Sequence, residues 1–178
     1  LPLHFGLILP VHWEFDMSNP FAFYGLEPTL NIDAKSLRNQ YINIQRETHP
    51  DLVAENPASM DKSELANAYY KGLTDPLTLV KYYLEVTSDS PAIPNSLPAD
   101  FLMEMMDLSD SIESMDRGNQ AAMQGVENDL VAYEKVLESE FYQFQQQESP
   151  DIVRLGEWYQ KSKYIGRLRK NFDGIVEI

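Results

Sequence analysis

Three side chains that could carry chemistry stand together at His49-Pro50-Asp51: an imidazole, a ring that fixes the backbone and a carboxylate. Arg46, Glu47 and Thr48 precede them, with Arg38 and Lys35 further back. Taken plainly, Pro50 ends a helix and Asp51 decorates a turn. At average residue frequencies, however, this tripeptide arises by chance in only about one chain in a hundred of this length, and here it falls between two helical segments. The other chemistries lack their residues. His4, His12 and His49 have no metal-ligand spacing, and with no cysteine there is no thiolate nucleophile, disulfide or cysteine-based zinc site. Phosphate loops of the GxxxxGK or GxGxxG kind are missing. Carboxylates at helical spacing in an acidic chain are expected to be solvated faces rather than acid–base dyads. No active site, metal or cofactor is expected.

The chain has 178 residues, enough for one globular domain or two small ones. Its 14 basic side chains against 28 acidic give a net charge of −14, which disfavours nucleic acid and anionic bilayers as partners. The absence of cysteine fits a reducing cytoplasm, and a bacterial cytoplasm is preferred to a mitochondrial matrix. The apolar stretch Phe5 to Val11 is too short to span a bilayer, lacks a basic flank and is broken by Pro10, so it is not read as a signal peptide. Residues 1–16 read as an N-terminal extension of unclear status, with Met17 a possible start.

The elements that must position the tripeptide all have the helical period. Leu37, Tyr41, Ile44 and Thr48 predict an amphipathic helix over 34–47, capped by Asp33 and stopped before Pro50. Leu65, Ala68, Tyr69, Gly72 and Leu73 mark the buried face of a second helix, and Asp75-Pro76 restarts the chain into a third over 77–86. Residues 88–99 hold three prolines and are read as a linker. Beyond it, helices are expected over about 99–115, 118–146 and 150–172, the middle one with a stripe of Val126, Leu130, Tyr133, Leu137, Phe141 and Phe144. Twelve acids lie between Asp100 and Glu148, and six bases against Glu157 between Arg154 and Lys170. The last helix is therefore expected to pair electrostatically with the two before it. No alternating run demands a sheet, and the expected class is all-α with two small helical domains.

With these residues in view the sequence resembles the J-domain co-chaperones of the HscB type, which serve iron–sulphur cluster assembly. Asn19 to Leu26 is similar to that family's opening, Tyr41 to Asp51 to its second helix and loop, and Ala66 to Tyr69 with Leu73 to Leu77 to its third helix. Phe101 to Leu108 is similar to the segment that opens the family's C-terminal bundle. The resemblance implies an N-terminal J-domain (17–87), an antiparallel helical hairpin with short flanking helices, then a linker (88–99) and a C-terminal three-helix bundle (100–178). It also implies a co-chaperone that stimulates ATP hydrolysis by a DnaK- or HscA-type chaperone and has no enzyme activity of its own. His49, Pro50 and Asp51 would make the essential contact, supported by a basic helix face of Lys35, Arg38 and Arg46. Leu52 stands where many family members have a base, and Leu79 where they are more basic, which weakens the steering field.

The first helix after the linker carries a second surface. At about 100° per residue, Phe101, Met105, Leu108, Ile112 and Met115 fall on one line, while Leu102, Met103 and Met106 face away beside Asp107 and Asp110. Another helix could cover these three; equally, apolar side chains beside carboxylates, two of them adaptable methionines, describe a partner patch. On the last helix Leu155, Trp158, Ile165 and Phe172 form the main stripe and Tyr164 lies off it. The resemblance implies that Leu102, Met103, Met106, Asp107, Asp110 and Tyr164 bind the IscU-type iron–sulphur scaffold protein, with Ser114 standing where the family often has a further acid. Two rival readings remain: a J-domain whose bundle docks a different client, and a structural helical adaptor in which the tripeptide is incidental.

Overall fold

A computed structural model describes residues 18–49, 57–88, 92–116 and 118–176. Among these there are seven helices and no strand: α1 (Pro20–Phe23), α2 (Ala34–Glu47), α3 (Pro57–Thr74), α4 (Pro76–Thr87), α5 (Ala99–Glu113), α6 (Gln120–Gln145) and α7 (Ile152–Val176). None is long and apolar enough to cross a membrane.

Side-chain caps set the helix starts. Asp33 accepts the amides of Lys35 and Ser36 at the head of α2, at 3.3 and 3.0 Å, and Asp75 accepts the Thr78 amide at 2.8 Å at the head of α4. Each satisfies a donor that the helix itself leaves orphaned. Pro76 occupies the first turn of α4, where its missing N–H costs nothing. Gly25, at φ +64°, ends α1 in the left-handed region that glycine enters freely. The Thr48 hydroxyl closes α2 by donating to the Ile44 carbonyl at 2.9 Å.

The α2–α3 hairpin is joined by aromatics at its base and amides toward its tip. Tyr41 stacks on Tyr70 with centroids 4.5 Å apart, and its hydroxyl donates to Asn67 Oδ1 at 2.8 Å. Gln45 reaches Asn67 and the Ser63 carbonyl, and Lys62 pairs with Glu47 at 3.3 Å. One expected face shifts. Ala68 is exposed and Ala66 is buried, its carbonyl accepting the Tyr24 hydroxyl at 2.6 Å. Tyr24, just past α1, meets α3 there, one-third of a turn from the line through Leu65 and Ala68. Burial holds the Tyr24 phenol above its ordinary titration range. Leu79 is also buried, so it belongs to the core and takes no part in any surface field.

Helices α5, α6 and α7 pack together around Met105, Leu108, Ile112, Val126, Leu130, Ile165, Leu168 and Phe172. Among the described residues the expected electrostatic pairing of the last helix is made by Arg169, with α6. Arg169 forks onto both carboxylate oxygens of Glu134 at 2.8 and 2.9 Å and reaches Glu127 with a third nitrogen. The bidentate bond to Glu134 raises its pKa, and the Glu127 bond adds to that against the opposing effect of burial. On the opposite side Tyr133 donates to Glu104 at 2.8 Å, tying α6 to α5.

The larger core is shared between the two halves of the chain. Phe21, Phe23, Leu37, Val80, Tyr83 and Leu84 belong to one cluster with Phe144, Leu155, Trp158 and Tyr159. Trp158 stacks on Phe141 at 5.1 Å and donates its indole N–H to the Leu137 carbonyl at 2.8 Å. Helix α4 packs directly on α7, so the proline-rich segment spans a joint that is already closed by side chains.

Two expectations follow. Trp158→Ala should destabilise the protein by about 3–5 kcal/mol, and urea unfolding should still show one transition, because the substitution weakens a core common to both halves. Burial, reinforced by the Glu104 hydrogen bond, pushes the Tyr133 phenol up to about 12. The unfolded phenol, near 10, loses its proton first, so stability is full below pH 10 and falls as pH rises toward 12. Tyr133→Phe should lessen that fall in alkaline denaturation curves.

Candidate functional site

The polar face of α2 lies opposite its buried residues. Leu37 and Ile44 turn into the core, and at about 100° per residue Lys35, Arg38 and Arg46 gather on the far side. All three are exposed. Thr48 ends the helix at the foot of this face, and exposed His49 follows, its amide donating to the Arg46 carbonyl at 3.4 Å. Pro50, Asp51 and Leu52 lie outside the described residues. The Lys62–Glu47 pair and the Gln45–Ser63 bonds hold α3 against α2 close to the end of α2, so His49 follows a helix that is fixed to its neighbour.

The second surface is on α5. Met105, Leu108 and Ile112 are buried with Phe101 and Met115 packed alongside, as the helical line requires. Met103 and Met106 are 67% and 61% exposed, and Asp107 and Asp110 are exposed beside them. Leu102 is partly buried. Tyr164, on α7, packs its ring edge-on against Phe101 at 6.2 Å, and the Arg167 guanidinium lies over it at 5.0 Å. Tyr164 thus meets α5 at Phe101, on the core-facing line, rather than at Met103 and Met106. The two candidate surfaces are separate, one at the end of α2 and the other on the bundle, joined by the shared core.

Sequence reasoning missed the groove beside the α5 patch. Glu104, Asp107, Leu108, Ser111, Asp129, Ala132 and Tyr133 line a depression of about 430 Å³ between α5 and α6. Glu104 and Asp107 fall one turn apart on α5, but Asp129 and Tyr133 come from a different helix, and only packing brings them together. Among the described residues no group of three or more His, Asp or Glu could hold a metal ion.

A helical hairpin with short flanking helices, packed on a three-helix bundle, is the arrangement that the resemblance to J-domain co-chaperones implies. The comparisons find similarity to HscB-type proteins. The family described as the HSCB C-terminal oligomerisation domain matches residues 97–173. Curated relatives from two strains of Vibrio vulnificus, CMCP6 and YJ016, each a co-chaperone protein HscB homolog, are 24% identical over 180 residues, covering 89% of this chain and 97% of theirs. Among solved structures, the human co-chaperone protein HscB superposes with a TM-score of 0.68 at 23% identity, covering 86% of this chain and 80% of that one. Chaperone HscB from Vibrio cholerae superposes at 0.67 and 22%, covering 89% and 98%. The resemblance to HscB-type co-chaperones and the two-part all-α fold are borne out.

If Met103 and Met106 belong to a surface, shortening them should leave the fold intact. Met103→Ala with Met106→Ala should change the unfolding free energy by less than about 1 kcal/mol, and a thermal melt checks it. A loss of the size of a core truncation, about 2–5 kcal/mol, would put them inside.

Proposed function

We propose that this protein is a bridging co-chaperone of iron–sulphur cluster assembly: it stimulates the ATPase of a DnaK- or HscA-type chaperone and delivers the cluster scaffold to it. The observation that carries this reading is the match to HscB co-chaperones along nearly the whole chain, 89% of it, rather than through the bundle alone. That breadth favours it over a J-domain with an unrelated client or a purely structural adaptor. The chain acts as a regulator, and the hydrolytic chemistry belongs to the chaperone. A bacterial cytoplasm is the proposed setting, in keeping with the bacterial relatives.

In this reading residues 17–87 form the ATPase-stimulating unit, 88–99 the linker and 100–178 the scaffold-binding unit. Lys35, Arg38 and Arg46 steer α2 onto an acidic surface of the chaperone, and His49, Pro50 and Asp51 make the essential contact, the Asp51 carboxylate pairing with basic groups there. The scaffold seats on Leu102, Met103 and Met106, with Asp107 and Asp110 facing basic groups of the partner and Tyr164 adding an aromatic edge. Two surfaces on one body raise the scaffold's effective concentration at the chaperone.

The test is steady-state ATP hydrolysis by an HscA-type chaperone, with this protein, the IscU-type scaffold, or both. Synergy between the two is expected. Stimulation without synergy would remove the scaffold from the reading, and no stimulation would remove the chaperone. His49→Gln should return turnover to the unstimulated rate while scaffold binding, measured by calorimetry, is unchanged. Loss of both together would contradict separate sites.

A further inference from the structure

The segment between α4 and α5 is held to α7 at two places. Gln160, on α7, donates its side-chain amide to the Pro94 carbonyl at 3.2 Å. One turn earlier Gly156 is buried, and the segment's backbone runs directly against it. A Cβ at this position would collide with the carbonyl oxygen of Ala92 and crowd Pro94 Cδ at 3.1 Å. Ala92 O is backbone, so the collision cannot be relieved by turning a side chain. Glycine is otherwise unfavourable inside a helix by about 1 kcal/mol relative to alanine, and Gly156 sits in the fifth position of a 25-residue helix. At Gly166, Gly174 and Gly125 of the bundle helices a Cβ would meet nothing within 4 Å. Gly156 is therefore the bundle glycine whose missing side chain leaves room for another piece of backbone.

Leu30, Ile32, Leu37, Leu73, Leu79 and Phe141, with Gln145 at the rim, surround a pocket of about 290 Å³ between the two halves. Gln145 bridges it with one bond to the Leu30 carbonyl at 3.0 Å. A cleft thus opens on the α6 side of the shared core, while on the α7 side the strap lies backbone against backbone.

We propose that Gly156 is a positioning residue: it seats the 92–94 segment on α7, and that seating fixes the orientation of the α2 surface relative to the α5 surface. The orientation matters to the bridging function because a scaffold bound on α5 raises its effective concentration at the chaperone only if both surfaces can be engaged at once. This functional half rests on the reading above; the geometric half does not.

Gly156→Ala separates the strap from the helix, since alanine favours α7 itself and evicts only the segment above. The chain has no cysteine, so Glu64→Cys and Glu138→Cys, at exposed sites on α3 and α6, give one clean pair of spin labels in the full chain. A narrow distance distribution is expected for the parent and a broadened or displaced one for Gly156→Ala. Gln160→Ala, which removes the Pro94 bond without adding atoms, should broaden it less. Distributions as narrow and unshifted as the parent's in both variants would overturn the proposal. In the ATPase assay Gly156→Ala should keep the scaffold-independent stimulation and the scaffold affinity, and lose the scaffold-dependent increment several-fold. A broadened distribution with the increment intact would overturn the functional half. Absence of any increment in the parent would instead refute the bridging reading, and the distance distributions would still judge the strap.

Discussion

Trp158 is the contact on which the arrangement depends. Its ring lies on Phe141, its N–H is satisfied by the Leu137 carbonyl, and it belongs to the same apolar cluster as Val80, Tyr83 and Leu84 of α4. A large aromatic that must find both an apolar face and a hydrogen-bond acceptor is selective about where it sits. Here the acceptor is on α6 and much of the apolar company is on α4, so α7 cannot satisfy Trp158 without gathering both. Leu155 and Tyr159, one turn back and one residue on, extend the same demand along the helix. The result is a joint made of side chains from both halves of the chain, in which the surface at the end of α2 and the surface on α5 keep one relation.

The charges follow a division of labour that net charge alone hides. Arg169 is half-buried between Glu127 and Glu134, where a planar fork meets a carboxylate with two nitrogens. Lys35, Arg38 and Arg46 stand in solvent on α2, where a charge does little for stability but acts at a distance of about a Debye length. A chain at −14 therefore still offers a local positive face. The acids around the α5 patch, including the groove with Asp129, form a face of the opposite sign on the bundle.

Local features were legible in the sequence because local physics sets them. Asp33 and Asp75 cap the helices that their spacing predicts, Val126, Leu130 and Phe144 lie inside as their period requires, and Met103 and Met106 fall on the open side of α5. What the sequence hid is what a second element decides. Leu65, Ala66 and Ala68 could each have faced a core, and only the arrival of the Tyr24 hydroxyl at the Ala66 carbonyl selects one. Leu79 reads as a position in a surface field until α4 meets the rest of the core. Phe144 and Trp158 belong to bundle stripes by period, and nothing in that period says that the stripe serves another half of the chain. Gly156 carries no signal at all, since the backbone that needs its missing side chain lies about 60 residues earlier.

A shared core also sets a schedule for synthesis. Leu84 leaves the ribosome 74 residues before Trp158, and at about 5–20 residues per second the interval is about 4–15 s. Throughout it, the N-terminal helices can form their hairpin but must hold an apolar face open, because Leu155, Trp158 and Tyr159 have not been made. The nascent chain is in this sense a temporary client for the machinery that protects exposed apolar surface. A co-chaperone built this way passes, once in each molecule's life, through the condition that chaperones exist to relieve.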